Sequence, residues 1–375
     1  MKMKVVIFGP SKRFLSGISY YTIHLSNALS DYAEVNAVLF RKMLPKRLFP
    51  GWRRVGEELA SVDFNSKVSV HEILDWNNPL SWIKAYKLAK DCDVMILQWW
   101  TSSVAHMYLA IELLNRKKTP IILEFHEVVD PLENAIMPIK IYSRLMGRLI
   151  RKFSTHFVVH SEMDKNQISR IYKIPEQKIT VIPHGLFNHY RRDKNAKKLL
   201  GINEEFVILF FGLIRPYKGV KYLVEAFEKL PKDLIENSKL LIVGEIWEDR
   251  EIIKKVEGSK LRDKITLVNK YVSDEEVSLY FSASDVLVLP YLRASQSGVA
   301  HIGMSFGIPI VATKVGGIQE SLSEYDGTYF VEPNAESISE ALLRIYHEPR
   351  KSFSAPEKLK WGNLAKKWID LIEKI

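Results

Sequence analysis

Short, largely apolar runs that alternate with segments of helical period constrain this chain most. Residues 5–8, 35–40, 68–70, 94–97, 121–125 and 157–159 are such runs, and 80–90, 105–115 and 139–153 repeat apolar residues every three or four positions. A strand that is apolar on both faces belongs in a sheet covered on both sides, and strands separated by helices pair in parallel. A second series begins at residue 206 and continues at 240–243, 265–268, 286–289 and 310–312. Between the series, 179–183 is one more short strand. After it, 188–198 is polar, basic and without apolar periodicity, as a linker would be. The expected fold is α/β: two Rossmann-like, doubly wound domains facing a cleft. The expected boundaries are 1–187 for the first domain, 188–200 for the linker and 201–355 for the second domain. Residues 356–375 then form a helix with Trp361, Leu364, Trp368, Leu371 and Ile372 on one side, a face that must dock on something.

In sheets of this kind ligands bind beyond the carboxyl ends of the strands. Phe210-Phe211-Gly212-Leu213-Ile214-Arg215-Pro216-Tyr217-Lys218-Gly219 is the most informative such end. A buried strand breaks at Gly212, and helical spacing resumes at Tyr217 with Val220, Leu223, Val224 and Phe227 on one face. Backbone amides, a helix start and the cations Arg215 and Lys218 then converge, which suits a diphosphate. The plain alternative is a surface turn with two solvated cations. Ser295-Gln296-Ser297-Gly298-Val299 opens a later helix and offers hydroxyls and close backbone approach, or simple capping. Ser16-Gly17 precedes another helix after the first strand. It is too sparse for the dinucleotide fingerprint, so a nicotinamide oxidoreductase is disfavoured.

Two strands end in titratable groups, at Phe125-His126-Glu127 and Val159-His160-Ser161-Glu162. His126 can donate to a sugar hydroxyl or assist proton transfer, or it can be an ordinary structural donor. Asp91-Cys92-Asp93 has the look of a paired-aspartate metal site but precedes a strand, so it closes a turn. With a single cysteine, Cys92, no internal disulfide is possible, and a reducing compartment is expected.

The net charge of +10 is uneven. Residues 41–54 carry six cations and no acid among Leu44, Leu48, Phe49 and Trp52, and 140–152 carry five more among apolar residues. Such stretches fit an anionic membrane surface, a solvated rim or a nucleic-acid face. No nucleic-acid-binding motif supports the last. No apolar stretch reaches the length of a membrane span, so the expectation is a cytoplasmic protein, peripheral on the inner membrane face through 41–54 and 139–153.

Four short stretches of the second half occur in the order and spacing of one family: Phe211-Gly212 with Lys218-Gly219, Val243-Gly244-Glu245, Ala283-Ser284-Asp285 with Pro290-Tyr291, and Gly307-Ile308-Pro309 with Gly316-Gly317. With the Gly17 loop, His126-Glu127 and Val181-Ile182-Pro183-His184-Gly185, the chain resembles the family-4 glycosyltransferases of GT-B architecture over nearly its whole length. The resemblance implies retaining transfer from a nucleotide sugar, UDP- or GDP-linked, with no cofactor and no obligatory metal. It implies that Arg215 and Lys218 hold the donor diphosphate, that Ser295, Gln296, Ser297, Gly298 and Val299 cup it, and that Gly17 approaches from the first domain. It places His126 at the transferred sugar and the last helix on the first domain. The acceptor would be a saccharide or a polyprenyl-linked saccharide.

The sequence departs from the family twice. Leu213 stands where an arginine is usual, with Arg215 two positions on. The paired glutamates before the Gly-x-Pro turn are Ala294 and Ile302, with His301 beside the second. A Ser-Gln-Ser-Gly loop replaces those glutamates in a subset of the family. The competing expectation is a non-catalytic nucleotide-sugar-binding partner subunit.

Overall fold

The computed structural model describes residues 2–14, 16–45, 55–56, 61–294 and 296–375. Ser295 and most of the basic stretch 41–54 lie outside the described residues. The chain divides into two compact units, Met1–Gly185 with Lys358–Ile375, and Leu186–Glu357.

The first unit is built on seven strands: β1 (Lys4–Pro10), β2 (Glu34–Lys42), β3 (Val68–Asp75), β4 (Val94–Trp99), β5 (Ile121–Phe125), β6 (His156–Val159) and β7 (Ile179–Val181). They are ordered β3-β2-β1-β4-β5-β6-β7, and all pairs are parallel. Successive side chains leave a strand on opposite faces. Val6 and Phe8 therefore join one core and Val5 and Ile7 the other. The second core is closed by the helices Gly17–Leu29 and Trp361–Ile372, the latter contributing Trp361, Leu364, Ala365, Trp368, Leu371 and Ile372. The expected docking of the last helix on the first sheet is thus what the structure has. Gly185 is the last residue before the chain leaves this unit. A Cβ there would lie 2.4 Å from the Trp361 indole, so only a glycine fits against that ring.

The second unit has β8 (Phe206–Phe211), β9 (Ser238–Val243), β10 (Ile265–Val268), β11 (Val286–Leu289), β12 (Ile310–Thr313) and β13 (Thr328–Val331), ordered β10-β9-β8-β11-β12-β13 and again parallel. Residues 188–200, expected as a linker, are packed into this unit. The Arg191 and Asp193 amides donate to Ser278 and Ser282, and Lys197 pairs with Asp285 at 2.8 Å. Asp91-Cys92-Asp93 lies at the amino end of β4. There Asp93 accepts the Lys4 amide at 2.7 Å and Asp91 pairs with Lys117.

One buried group works against the fold. Glu112, in the helix Ala105–Leu114, has both carboxylate oxygens buried without a hydrogen-bond partner. Burial pushes its carboxyl up to about 9. An acid whose folded value is raised binds its proton more tightly folded than unfolded. Its contribution is therefore complete below the unfolded value of 4.5 and is lost as pH rises towards 9. At neutral pH the cost is roughly 3 kcal/mol. Glu112→Gln is expected to raise stability at pH 7–8 by roughly 1–3 kcal/mol, and by progressively less as pH falls to 5. Urea unfolding of both proteins across that range measures it.

Candidate active site

In the second unit the site grows from the end of β8. Gly212 takes φ +116°, and the ladder with β9 continues past the strand: the Gly212 amide donates to the Val243 carbonyl at 3.0 Å, and that of Ile214 to Glu245 at 2.9 Å. Pro216–Lys218 then forms one tight 3-10 turn, and Gly219 follows at φ +64°. A Cβ on Gly219 would sit 1.9 Å from the Pro290 carbonyl oxygen, so the chain can approach the β11 segment here only as glycine. This left-handed residue interrupts the helix expected from Tyr217, which begins instead at Val220 and runs to Glu228. The Leu292 amide donates to the Tyr217 carbonyl at 2.7 Å and fastens the turn to the segment after β11.

That fastening brings Lys218 to Tyr291. The ammonium lies 3.6 Å from the centre of the Tyr291 ring, and the Tyr291 hydroxyl is 3.4 Å from Ser297 Oγ. Ser297 caps the helix Gly298–Ser305, its hydroxyl accepting from the Ala300 amide. The Val299 side chain faces Gly212 across 3.4 Å, measured to where a Cβ would stand. Gly212, Lys218, Tyr291, Ser297 and Val299 therefore share one place at the carboxyl ends of β8 and β11. The first-turn amides of the helix, those of Gly298 and Val299 among them, have no intrahelical acceptor. Gln296 lies in the same loop with its Nε2 buried and without a hydrogen-bond partner. Arg215 is turned to the 245–248 side, its guanidinium 4.8 Å over the Trp247 ring and its Nε 3.8 Å from Glu248.

Behind the loop, the Gly317 amide donates to the Ala294 carbonyl at 3.1 Å. Gly316, at φ +56°, leaves no space for a Cβ, which would be 1.7 Å from that oxygen. Ile302 and His301 are buried in the helix. No carboxylate stands at position 294 or 302.

In the first unit, strand register assembles a second group of polar residues. Gln98 on β4 is opposite Glu124 on β5, and Glu124 is opposite Val158 on β6. Two residues further on, His126 and His160 emerge side by side, with ring centroids 5.0 Å apart. The His126 amide donates to the Trp99 carbonyl at 2.8 Å, which fixes the backbone there. Thr22 donates to Gln98 Oε1 at 2.5 Å, and Gln98 Nε2 donates to Glu124 Oε2 at 3.4 Å. His126 Nε2 is 3.7 Å from Glu124 Oε2, and His160 Nε2 is 3.9 Å from Oε1. Tyr21, from the helix Gly17–Leu29, packs on both imidazoles and on His184.

Burial alone would raise the Glu124 carboxyl, but the pull of His126 at 3.7 Å, with His160 and Tyr21 adding, holds it below the usual carboxylate range. Burial and the neighbouring His126 push His160 down to about 4. Burial, and then the charge of Glu124, drive the Tyr21 phenol well above its ordinary value. Gly17 is the first residue of its helix, behind the Ser16 cap, and faces open space where a Cβ would go.

Glu124 and Gln98 were not among the residues expected to matter. A charge inside Ile121-Ile122-Leu123-Glu124-Phe125 and an amide inside Val94-Met95-Ile96-Leu97-Gln98-Trp99 were the available signals, because a polar residue in a strand buried on both faces must have a partner.

Both halves of the chain are similar to known proteins. The family model described as Glycosyltransferase Family 4 matches residues 15–186, and that described as Glycosyl transferases group 1 matches 191–368. Two uncharacterised glycosyltransferases of Methanocaldococcus jannaschii are similar to this chain. One is 26% identical over 58% of this chain and 60% of its own length, the other 24% identical over 100% and 99%. The N-acetyl-alpha-D-glucosaminyl L-malate synthase of Bacillus anthracis is 27% identical over 48% of this chain and 43% of its own. This chain thus spans about 60% of the first of these relatives, nearly all of the second and less than half of the third. Among solved structures, the sucrose-phosphate synthase from Thermosynechococcus elongatus has TM-score 0.73 at 17% identity, covering 99% of this chain and 98% of its own. Anabaena HepE in complex with UDP and glucose has TM-score 0.74 at 14% identity, with 100% of both chains covered. Family match and fold agree: the chain is a glycosyltransferase of the family-4 kind with the GT-B fold.

Proposed function

We propose that the chain transfers a sugar, with retention, from a nucleotide-sugar donor to a saccharide or polyprenyl-linked acceptor at the cytoplasmic face of a membrane. The observation that carries the donor half is the Lys218 ammonium beside Tyr291, at the head of the helix Gly298–Ser305. In transfer the bond between the anomeric carbon and the diphosphate breaks, and negative charge grows on the departing phosphate oxygen. Lys218, with the amides of Gly298 and Val299, would meet that charge, and the hydroxyl of Ser297 and the amide of Gln296 would cup the diphosphate. Ser295 belongs to the same loop by sequence. Arg215 would reach the diphosphate by leaving Trp247 and Glu248, an exchange of one weak ion pair for a stronger one. Gly17 leaves room for the donor at the first unit, and His126 would face the transferred sugar. A uridine donor is supported by the HepE complexes with UDP and UDP-glucose and by a UDP-forming trehalose-phosphate synthase of the same fold.

The membrane half rests on the helix Met137–Phe153. Ser143, Gly147 and Ile150 are buried on one side, while Met137, Ile141 and Leu145 stand 66%, 58% and 54% exposed on the other. Arg144, Arg148, Arg151 and Lys152 of this helix line a groove with Lys173 and Lys178. Exposed apolar residues beside a cationic groove suit a layer of anionic head groups.

A second reading, a non-catalytic sugar-nucleotide-binding subunit, is favoured by one observation, the missing carboxylates at 294 and 302. Incubation with a panel of uridine and guanosine diphosphate sugars separates the two. Release of the nucleoside diphosphate is expected from one donor. Binding without release, with lipid-linked acceptors present, would establish the binder. Co-sedimentation with anionic vesicles tests the location, and Ile141→Asp with Leu145→Asp is expected to abolish it.

A further inference from the structure

Glu124 Oε1, His126 Nε2 and His160 Nε2 are buried, and none has a hydrogen-bond partner. They come from three positions that the β5–β6 register places on one face, and one ligand atom from each falls within 4.8 Å of the other two. The Glu124 carboxylate is wholly buried, and among the described residues no lysine or arginine pairs with it. Buried charge without a counter-charge is expensive.

The tautomer of His160 sharpens the problem. Its Nδ1 is 2.9 Å from the Ile182 carbonyl, which can only accept. Nδ1 therefore carries the hydrogen, and in the neutral ring Nε2 presents a bare lone pair. That lone pair faces Glu124 Oε1 at 3.9 Å. Two acceptors confront each other in a buried site, and a cation between them would satisfy both.

We propose that Glu124, His126 and His160 bind one divalent transition-metal ion of the zinc class. Two imidazoles and a carboxylate are a donor set for zinc and its neighbours, not for magnesium or calcium, which take oxygen. Ligand atoms about 2.0–2.2 Å from a shared ion lie about 3.4 Å apart. The observed 3.7 and 3.9 Å run to the two different oxygens of Glu124, and the three ligand atoms, all within 4.8 Å of one another, must draw together by up to about 1.4 Å around an ion. The carbonyl of Ile182 behind His160, and Gln98 behind Glu124, are the outer hydrogen bonds that orient such ligands. A bound ion takes up the His126 nitrogen that would otherwise face the sugar, so loading at this site and the proposed contact with donor are alternatives.

The test needs neither donor nor acceptor, so it succeeds or fails independently of the transferase reading. Full-length protein stripped with a chelator is titrated with zinc against a chromophoric competitor. One tight equivalent is expected, weakened by about tenfold or more in Glu124→Gln and in His160→Gln. The exposed His347→Gln is expected to leave it unchanged. The cobalt-substituted wild type is expected to show the intense visible absorption of a four-coordinate ion, a readout that holds even if a variant does not fold. Absence of a tight equivalent, equal affinity in wild type and both ligand variants, or the weak spectrum of hydrated cobalt would overturn the proposal.

Discussion

Lys218→Ala is expected to lower release of nucleoside diphosphate by about two to three orders of magnitude, which is what removing one preorganised charge-stabilising group costs. The effect belongs mainly in kcat, because the charge that Lys218 is proposed to meet is larger in the transition state than in the bound donor. Among the described residues no carboxylate pairs with this ammonium, so nothing is left uncompensated by its removal. Its resting place over the Tyr291 ring is an attraction worth about 1 kcal/mol. Unfolding should therefore shift little while turnover collapses. Lys218→Arg keeps the charge but spreads it over a planar fork, and is expected to recover only part of the rate. Steady-state release with the preferred donor, beside urea unfolding of each variant, gives both quantities. Undiminished release from Lys218→Ala would remove this residue from the donor site.

Trp368→Ala is expected to destabilise the first unit by about 3–5 kcal/mol. Trp368 is fully buried in the cluster that contains Val5, Ile7, Tyr21 and Leu25, and it comes from the last helix of the chain. Truncation removes the more deeply buried of the two tryptophans in that cluster and leaves a cavity that neighbouring strands cannot fill. Because the cluster lies wholly in the first unit, unfolding should separate into two transitions, with only one of them shifted. Urea titration followed by limited proteolysis assigns the shifted transition. A single unmoved midpoint would mean that the helix contributes nothing to that core.

Most strands of both sheets were legible because a strand covered on both faces is written as a largely apolar run. β3 was read short, at 68–70, because His71 and Glu72 follow. It lies at the edge of its sheet, where polar residues are tolerated, and runs to Asp75. β13 was missed for a related reason, as an edge strand that is mostly half-buried. The helix after the Pro216–Lys218 turn started late because Gly219 adopts a left-handed conformation that apolar spacing does not report.

Lys218 and the Ser297 loop were each visible in the sequence, but their meeting at Tyr291 follows from β8 and β11 being neighbours, a matter of strand order. The grouping of Glu124 with His160 depends on register between β5 and β6, and periodicity carries no information about register.

The first unit is made of two separate stretches of chain, and its final 18 residues, Lys358–Ile375, come after the whole of the second unit. During synthesis, then, the second unit has its entire sequence available before the first can close the core around Trp368. Order of completion is the reverse of order of emergence. With the chain emerged only as far as Glu357, one core is complete and the other still open, with Tyr21 and its neighbouring apolar side chains waiting in water for the helix Trp361–Ile372. The N-terminal half of this protein is the part that would call on a chaperone, and the contiguous stretch Leu186–Glu357 is the part that could be cut out and expressed alone.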